Sequence, residues 1–80
     1  MIYYQVRLAP EAKTGLDRLP ARVAAAGINF IREQLIKHPE AIGVPLSGSL
    51  KGHFVVRREQ YRIIYRVDHA AGTVDILQIL

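Results

Sequence analysis

Residues 53–68 constrain this chain more than any other stretch. His53-Phe54-Val55-Val56-Arg57-Arg58 and Tyr61-Arg62-Ile63-Ile64-Tyr65-Arg66-Val67-Asp68 are rich in β-branched and aromatic residues, and only Glu59-Gln60 separates them. They read as the two arms of a β-hairpin. A two-residue turn at Glu59-Gln60 sets Arg58 opposite Tyr61, Arg57 opposite Arg62, Val55 opposite Ile64 and His53 opposite Arg66. Alternation along a strand then gathers His53, Arg57, Arg62 and Arg66 on one face. The other face, with Phe54, Val56, Tyr61, Ile63, Tyr65 and Val67, is apolar enough to be the core side. Like charges placed directly opposite each other destabilise a sheet, so Arg57 and Arg62 are read as facing an anion, with phosphate the obvious candidate. Glu-Gln is not a preferred pair for a primed turn, and a longer loop would scatter this constellation.

A hairpin needs something to pack on, and the rest of the chain supplies it. Tyr4, Val6 and Leu8, with Ile2 before them, alternate with Tyr3, Gln5 and Arg7 as a half-buried first strand. Pro10 ends it and suits the first turn of a short helix running from Glu11 to about Arg18. Pro20 opens a longer helix to about Lys37, in which Ala24, Ile28, Ile31 and Leu35 recur at helical spacing while Val23, Phe30 and Ile36 widen the stripe. Lys37 and His38 complement the helix dipole, and Pro39 prevents continuation.

From Pro39 to Gly52 the chain reads as an ordered loop pinned by Ile42, Val44, Leu46 and Leu50. After the hairpin, His69-Ala70-Ala71-Gly72 turns the chain into a last strand, Thr73 to Leu80. There Val74, Ile76, Gln78 and Leu80 alternate with Thr73, Asp75, Leu77 and Ile79. The order is βααβββ, which predicts an α+β fold: a small antiparallel sheet with an αα-hairpin packed on one face. With 80 residues, one domain spanning 1–80 is expected.

Composition narrows the function. A chain that is 50% hydrophobic is too apolar to be disordered. No run approaches the roughly 20 apolar residues that span a bilayer, and the N-terminus lacks the apolar core of a signal peptide, so no membrane association and a cytoplasmic location are expected. The absence of cysteine excludes disulfides and thiolate metal sites. His38, His53 and His69 lack metal-ligand spacing, and no phosphate loop or nucleophile elbow is present, so no metal or cofactor is expected. A formal charge of +4 points toward polyanions, either nucleic acid or an acidic protein. Arg57, Arg58, Arg62 and Arg66 concentrate four cations within ten residues.

The element order, Leu19-Pro20 between the helices, His38-Pro39 after them, Leu46-Ser47-Gly48 before the hairpin and Tyr61-Arg62-Ile63-Ile64-Tyr65 within it together resemble the RelE/ParE superfamily of bacterial toxins. The resemblance covers essentially the whole chain. Its tightest element is Arg57 followed by the Tyr-Arg-Ile-Ile-Tyr strand. It implies the toxin half of a toxin–antitoxin module, expected to form a hetero-oligomer with a cognate antitoxin. For RelE-like members it also implies a metal-independent endoribonuclease that cuts messenger RNA in the ribosome and inhibits translation.

On that resemblance Arg62 matches the strand arginine that contacts the scissile phosphate, and Arg57 a basic position beside it. Two lysines of the ribonuclease fall at His53 and Val55; His53 could carry a proton in place of one, and Val55 could not. Lys51, Arg58 and Arg66 are the candidate RNA-backbone contacts. The superfamily's last strand is followed by a short basic tail that completes the active site, whereas this sequence stops at Leu80. The expectation is therefore an RNA-cleaving toxin impaired to some degree, with a ParE-like inhibitor of DNA gyrase or an inactive antitoxin-binding scaffold as the alternatives.

Overall fold

A computed structural model describes residues 3–80, so the part of the first strand expected at Ile2 lies outside the described residues. Strand β1 (Gln5–Leu8) leads into α1 (Pro10–Arg18) and α2 (Ala21–Phe30), which continues as one π-helical segment (Ile31–Leu35). A single turn, α3 (Pro39–Ile42), precedes the short strand β2 (Val44–Pro45) and a 3₁₀ turn at Gly48–Leu50. Strands β3 (His53–Arg57), β4 (Arg62–Asp68) and β5 (Thr73–Ile79) complete a sheet in the order β1-β5-β4-β3-β2.

The expected α+β architecture is present, with two differences of topology. The sheet is antiparallel except at β1, which pairs parallel to β5 with Val6 opposite Val74 and Leu8 opposite Ile76. A helical hairpin between β1 and the rest of the sheet returns the chain in the sense that makes this pairing parallel. The Pro39–Gly52 loop also contains helical turns and an edge strand, so β2 is added to the predicted order.

Proline and charge set the helix ends as the sequence suggests. Pro10 occupies the first turn of α1, Glu11 sits at its positive end and Arg18 at its negative end. Beyond Phe30 the second helix widens, and Ile36 N–H reaches the Ile31 carbonyl at 3.2 Å. Val23, Gly27, Phe30, Ile31 and Leu35 form its buried side. Ile28 is 41% exposed, whereas Gly27 before it is buried on the side that faces the Tyr61 ring.

The helices cover one face of the sheet. Phe30, Ile31 and Leu35 pack against Val56, Ile63, Tyr65, Val74, Ile76 and Ile79. Tyr65 is at the centre, fully buried and stacked on Phe54 at 5.4 Å between ring centroids. Its hydroxyl donates to the Pro39 carbonyl, and burial pushes its pKa up to about 12. Two glycines permit the close packing. A Cβ on Gly43 would overlap the Tyr65 hydroxyl, and one on Gly15 would overlap the Ile79 carbonyl where α1 lies along β5.

Of the four residues expected to pin the loop, only part do so. Ile42 packs on the core and Leu46 is half-buried, but Val44 is 64% exposed and Leu50 is also exposed. Both belong to the side of the sheet that carries no helices or to its rim. The first strand is less covered than expected too, since Val6 and Leu8 sit on an edge strand and remain exposed.

Candidate functional site

The face of the sheet away from the helices is organised in three rows, and the hairpin register sets them. Arg57 pairs with Arg62, Val55 with Ile64 and His53 with Arg66, the pairing that a two-residue turn at Glu59-Gln60 predicts. Arg58 N–H bonds the Tyr61 carbonyl across that turn at 2.9 Å. Every second residue faces outward, so the rows lie roughly 7 Å apart along each strand.

The first row is cationic and uncompensated. Arg62 exchanges both backbone hydrogen bonds with Leu80 at 2.9 Å, so its bonding edge faces β5 and its pairing with Arg57 is of the closer, non-hydrogen-bonded type. Among the described residues, no carboxylate lies within ion-pairing distance of either arginine. Two exposed guanidinium groups are thus held side by side with no internal counterion, which is the local condition for taking up an anion.

The second row is apolar. Val44, Val55 and Ile64 lie across β2, β3 and β4. On β5 the row is continued by a bulge: Ile64 is opposite Gln78, yet Tyr65 is opposite Ile76, so Leu77 is an extra residue. The bulge brings Leu77 and Gln78 to the outer face together and returns Ile79 to the core. The uniform alternation expected for Thr73 to Leu80 therefore breaks at Leu77. A signal was present in the sequence, since polar Gln78 falls in the phase of Val74 and Ile76.

The third row is an ion-pair network. Arg7 on β1 grips Asp75 with Nε at 2.7 Å and Nη2 at 3.0 Å, and Arg66 adds Nη2 at 2.9 Å. Thr73 donates its hydroxyl to the same carboxylate at 2.9 Å. The bond from Arg7, reinforced by Arg66 and Thr73, holds the Asp75 carboxyl far below the usual carboxylate range. Arg7 also reaches Asp68 at 3.2 Å. Neither Arg7 nor Asp75 stands out in the sequence, because only the parallel pairing of β1 with β5 makes them neighbours.

His53 closes this row on β3. Its Nδ1 lies 3.1 Å from the Leu50 carbonyl, which can only accept, so Nδ1 carries the proton and Nε2 of the neutral ring is left as an acceptor. Lys51 is exposed at the end of the 3₁₀ turn, two residues before His53.

The sequence candidates therefore divide. Arg57, Arg62, His53 and Arg66 share one face, as the alternation predicts. Arg66 is ion-paired to Asp75 and carries less free charge than the sequence alone suggests. Arg58 departs from the group: its guanidinium lies over the Phe30 ring at 4.6 Å, on the helix side, because it is out of phase with Arg57. Tyr61 and Tyr65 are packing residues of the helix side. His69 belongs to a separate surface chain, with Nδ1 2.9 Å from the Tyr4 hydroxyl and Nε2 3.2 Å from Glu40. Among the described residues, no helix is long and apolar enough to cross a membrane.

Comparison with known proteins agrees with this layout. The family described as the ParE toxin of the type II toxin–antitoxin system, parDE, matches residues 6–80. Toxin RelG of Mycobacterium tuberculosis is 40% identical over 76 residues, covering 95% of this chain and 87% of that toxin. Toxin RelE of the same organism is 36% identical over 76 residues, covering 95% of this chain and 78% of its own length. The crystal structure of the M. tuberculosis RelBE2 toxin–antitoxin complex contains a chain that superposes with a TM-score of 0.93 at 38% identity, covering 98% of this chain and 96% of that one.

Proposed function

The chain belongs to the RelE/ParE superfamily, as the toxin of a type II toxin–antitoxin system, and on that premise we propose that it is an endoribonuclease that cuts messenger RNA on the ribosome. The observation that carries this reading is the side-by-side pair Arg57 and Arg62, uncompensated and exposed, on the same face as a histidine whose Nδ1 is turned to the Leu50 carbonyl. A phosphodiester over Val55 would have the two guanidinium groups on one side and His53 on the other, each within reach of a long side chain or an imidazole.

In this reading His53 Nε2 takes the proton of the ribose 2′-OH. The 2′ oxygen bonds to phosphorus, and the bond from phosphorus to the 5′ oxygen breaks. The products are a 2′,3′-cyclic phosphate and a 5′-hydroxyl, the latter receiving its proton from solvent. Arg57 and Arg62 stabilise the negative charge that gathers on the phosphoryl oxygens. Lys51, and Arg66 through the donors that Asp75 leaves free, extend the backbone contacts. A cytoplasmic location follows from the substrate. The partner is an antitoxin, a reading supported by the RelBE2 relative having been crystallised as a toxin–antitoxin complex.

The test is induction of the chain in bacteria, with primer extension on cellular messenger RNA before and after translation is blocked. Cuts inside translated frames that vanish when ribosomes are emptied are the expected result. Growth arrest with intact messenger RNA would overturn the reading in favour of gyrase, and the absence of arrest would leave only an antitoxin-binding role.

A further inference from the structure

The bulge in β5 creates a depression beside the phosphate site, and of its lining only His53 takes part in the chemistry above. Ile64 and Leu77 form its floor, Leu50 and His53 one wall, and Gln78 and Glu11 the other; its volume is about 320 Å³. That volume is at the lower end of the range for small-ligand sites, roughly 300–1,000 Å³. Without Leu77 as an extra residue, the outer face at this point would carry Gln78 alone opposite Ile64. With it, two aliphatic side chains lie together between a cationic row and the ion-pair row. Glu11, at the start of α1 where that helix begins to follow β5, stands at the rim with no ion-pair partner among the described residues.

We infer that this depression is the subsite for one nucleobase of the RNA and that Glu11 and Gln78 read its edge. This rests on the ribonuclease reading for the identity of the ligand and adds a selectivity to it. Strand spacing supports the occupant: a phosphate over Val55 lies one strand from Ile64 and two from Leu77, roughly 5–10 Å, about the distance from a backbone phosphate to its base. An aliphatic floor accepts the flat face of any base, so it cannot discriminate. Discrimination falls to the rim. A carboxylate only accepts hydrogen bonds, so Glu11 favours a base presenting an exocyclic amino group; uracil offers carbonyl oxygens on both sides of its single N–H and is repelled. Gln78 can donate or accept and satisfies the remaining polar atoms of an amino-bearing base.

Two measurements on the 80-residue chain test this. In methyl NMR, 3′-GMP is expected to shift the Ile64 and Leu77 methyl resonances, with 3′-UMP binding about tenfold or more weakly, the discrimination a good pair of base contacts gives. Glu11→Gln, which restores a donor at an exposed position, is expected to bring the two nucleotides within about twofold. In mapped cleavage of cellular RNA, uracil is expected to be depleted at one fixed position beside the cut, and Glu11→Gln to abolish the depletion. If 3′-GMP shifts only resonances near Arg57 and Arg62, or if the variant keeps the parent's nucleotide profile, the inference falls and the ribonuclease reading stands. If no RNA is cut but 3′-GMP still shifts Ile64 and Leu77 with the stated preference, the base site stands and the ribonuclease reading falls.

Discussion

Asp75 and Arg7 lock the first and last strands together through a two-point ion pair, at 2.7 and 3.0 Å, on the open face of the sheet. The same carboxylate takes Arg66, so one buried acid satisfies two arginines and separates the structural cations of this face from the free pair Arg57 and Arg62. Asp75→Asn is expected to destabilise the fold by about 1.5–3 kcal/mol at neutral pH, the range for hydrogen bonds to charged groups. The sign of its pH dependence follows from the depressed carboxyl. The stabilisation is complete above the unfolded pKa of about 3.9 and is lost as the pH falls below that value toward the lower folded pKa. Urea unfolding of parent and variant should therefore differ most at pH 5–7, and the gap should narrow in strong acid.

Arg57 and Arg62 should behave in the opposite way. Because they face each other without a counterion, Arg62→Ala or Arg57→Ala is expected to leave thermal stability unchanged or slightly raised. Messenger-RNA cleavage should fall by about 10²–10³, the loss seen when one preorganised donor to a developing anion is removed. Arg66→Ala should instead lower stability, because it leaves Asp75 short of one donor, and should affect cleavage less. Cleavage assays on reconstituted ribosomes, read beside melting curves, separate the two kinds of arginine.

His53→Gln keeps a polar side chain on β3 but removes the ring nitrogen that would accept the 2′-OH proton. The expected result is a loss of about 10²-fold or more in the cleavage step with normal antitoxin binding. Equal cleavage by the variant would return His53 to the role of a polar strand residue anchored to Leu50.

Much of this site is legible in the sequence, and the reason is local. The hairpin has a two-residue turn, so one assumption about Glu59-Gln60 sets every pairing from Arg57–Arg62 to His53–Arg66. The same alternation puts Arg58 on the face opposite Arg57, against its place among the candidate RNA-backbone contacts. What the sequence did not disclose depends on contacts between distant segments. Arg7 meets Asp75 only because β1 runs parallel to β5, and Glu11 reaches the rim only because α1 follows the free half of β5. The π-helical segment at Ile31–Leu35 likewise has no signal in the regular spacing that included Ile28, which the structure leaves exposed.

Gly43 and Tyr65 form a pair that tests the core. Gly43→Ala places a methyl where the Tyr65 hydroxyl lies and is expected to cost about 1–3 kcal/mol as overpacking. Tyr65→Phe vacates that space at the expense of the bond to Pro39, so the double variant should be more stable than the sum of the two single losses predicts. Tyr65 also sets an alkaline limit. Its pKa is raised to about 12 by burial, so its contribution is complete below the unfolded value of about 10 and is lost as the pH rises from there through the folded value. Phenolate absorbance should show one tyrosine titrating late in the parent and none in Tyr65→Phe.

Leu77 offers the sharpest separation of fold from site. Removing it leaves Val74, Asp75, Ile76, Gln78 and Ile79 in strict alternation, with Val74, Ile76 and Ile79 still facing the helices. A chain lacking Leu77 is therefore expected to fold with the same hairpin register and a stability reduced by about 1–3 kcal/mol, most of it from the shifted contact between Gly15 and the Ile79 carbonyl. The outer face would lose one of its two aliphatic floor residues, while Arg57, Arg62 and His53 would keep their places on β3 and β4. If the depression reads a base, this variant should still bind inorganic phosphate at the arginine pair but lose the preference between 3′-GMP and 3′-UMP. Retention of that preference would mean that selectivity resides elsewhere than the bulge, whereas loss of phosphate binding as well would mean that the bulge also positions Arg62 through Leu80.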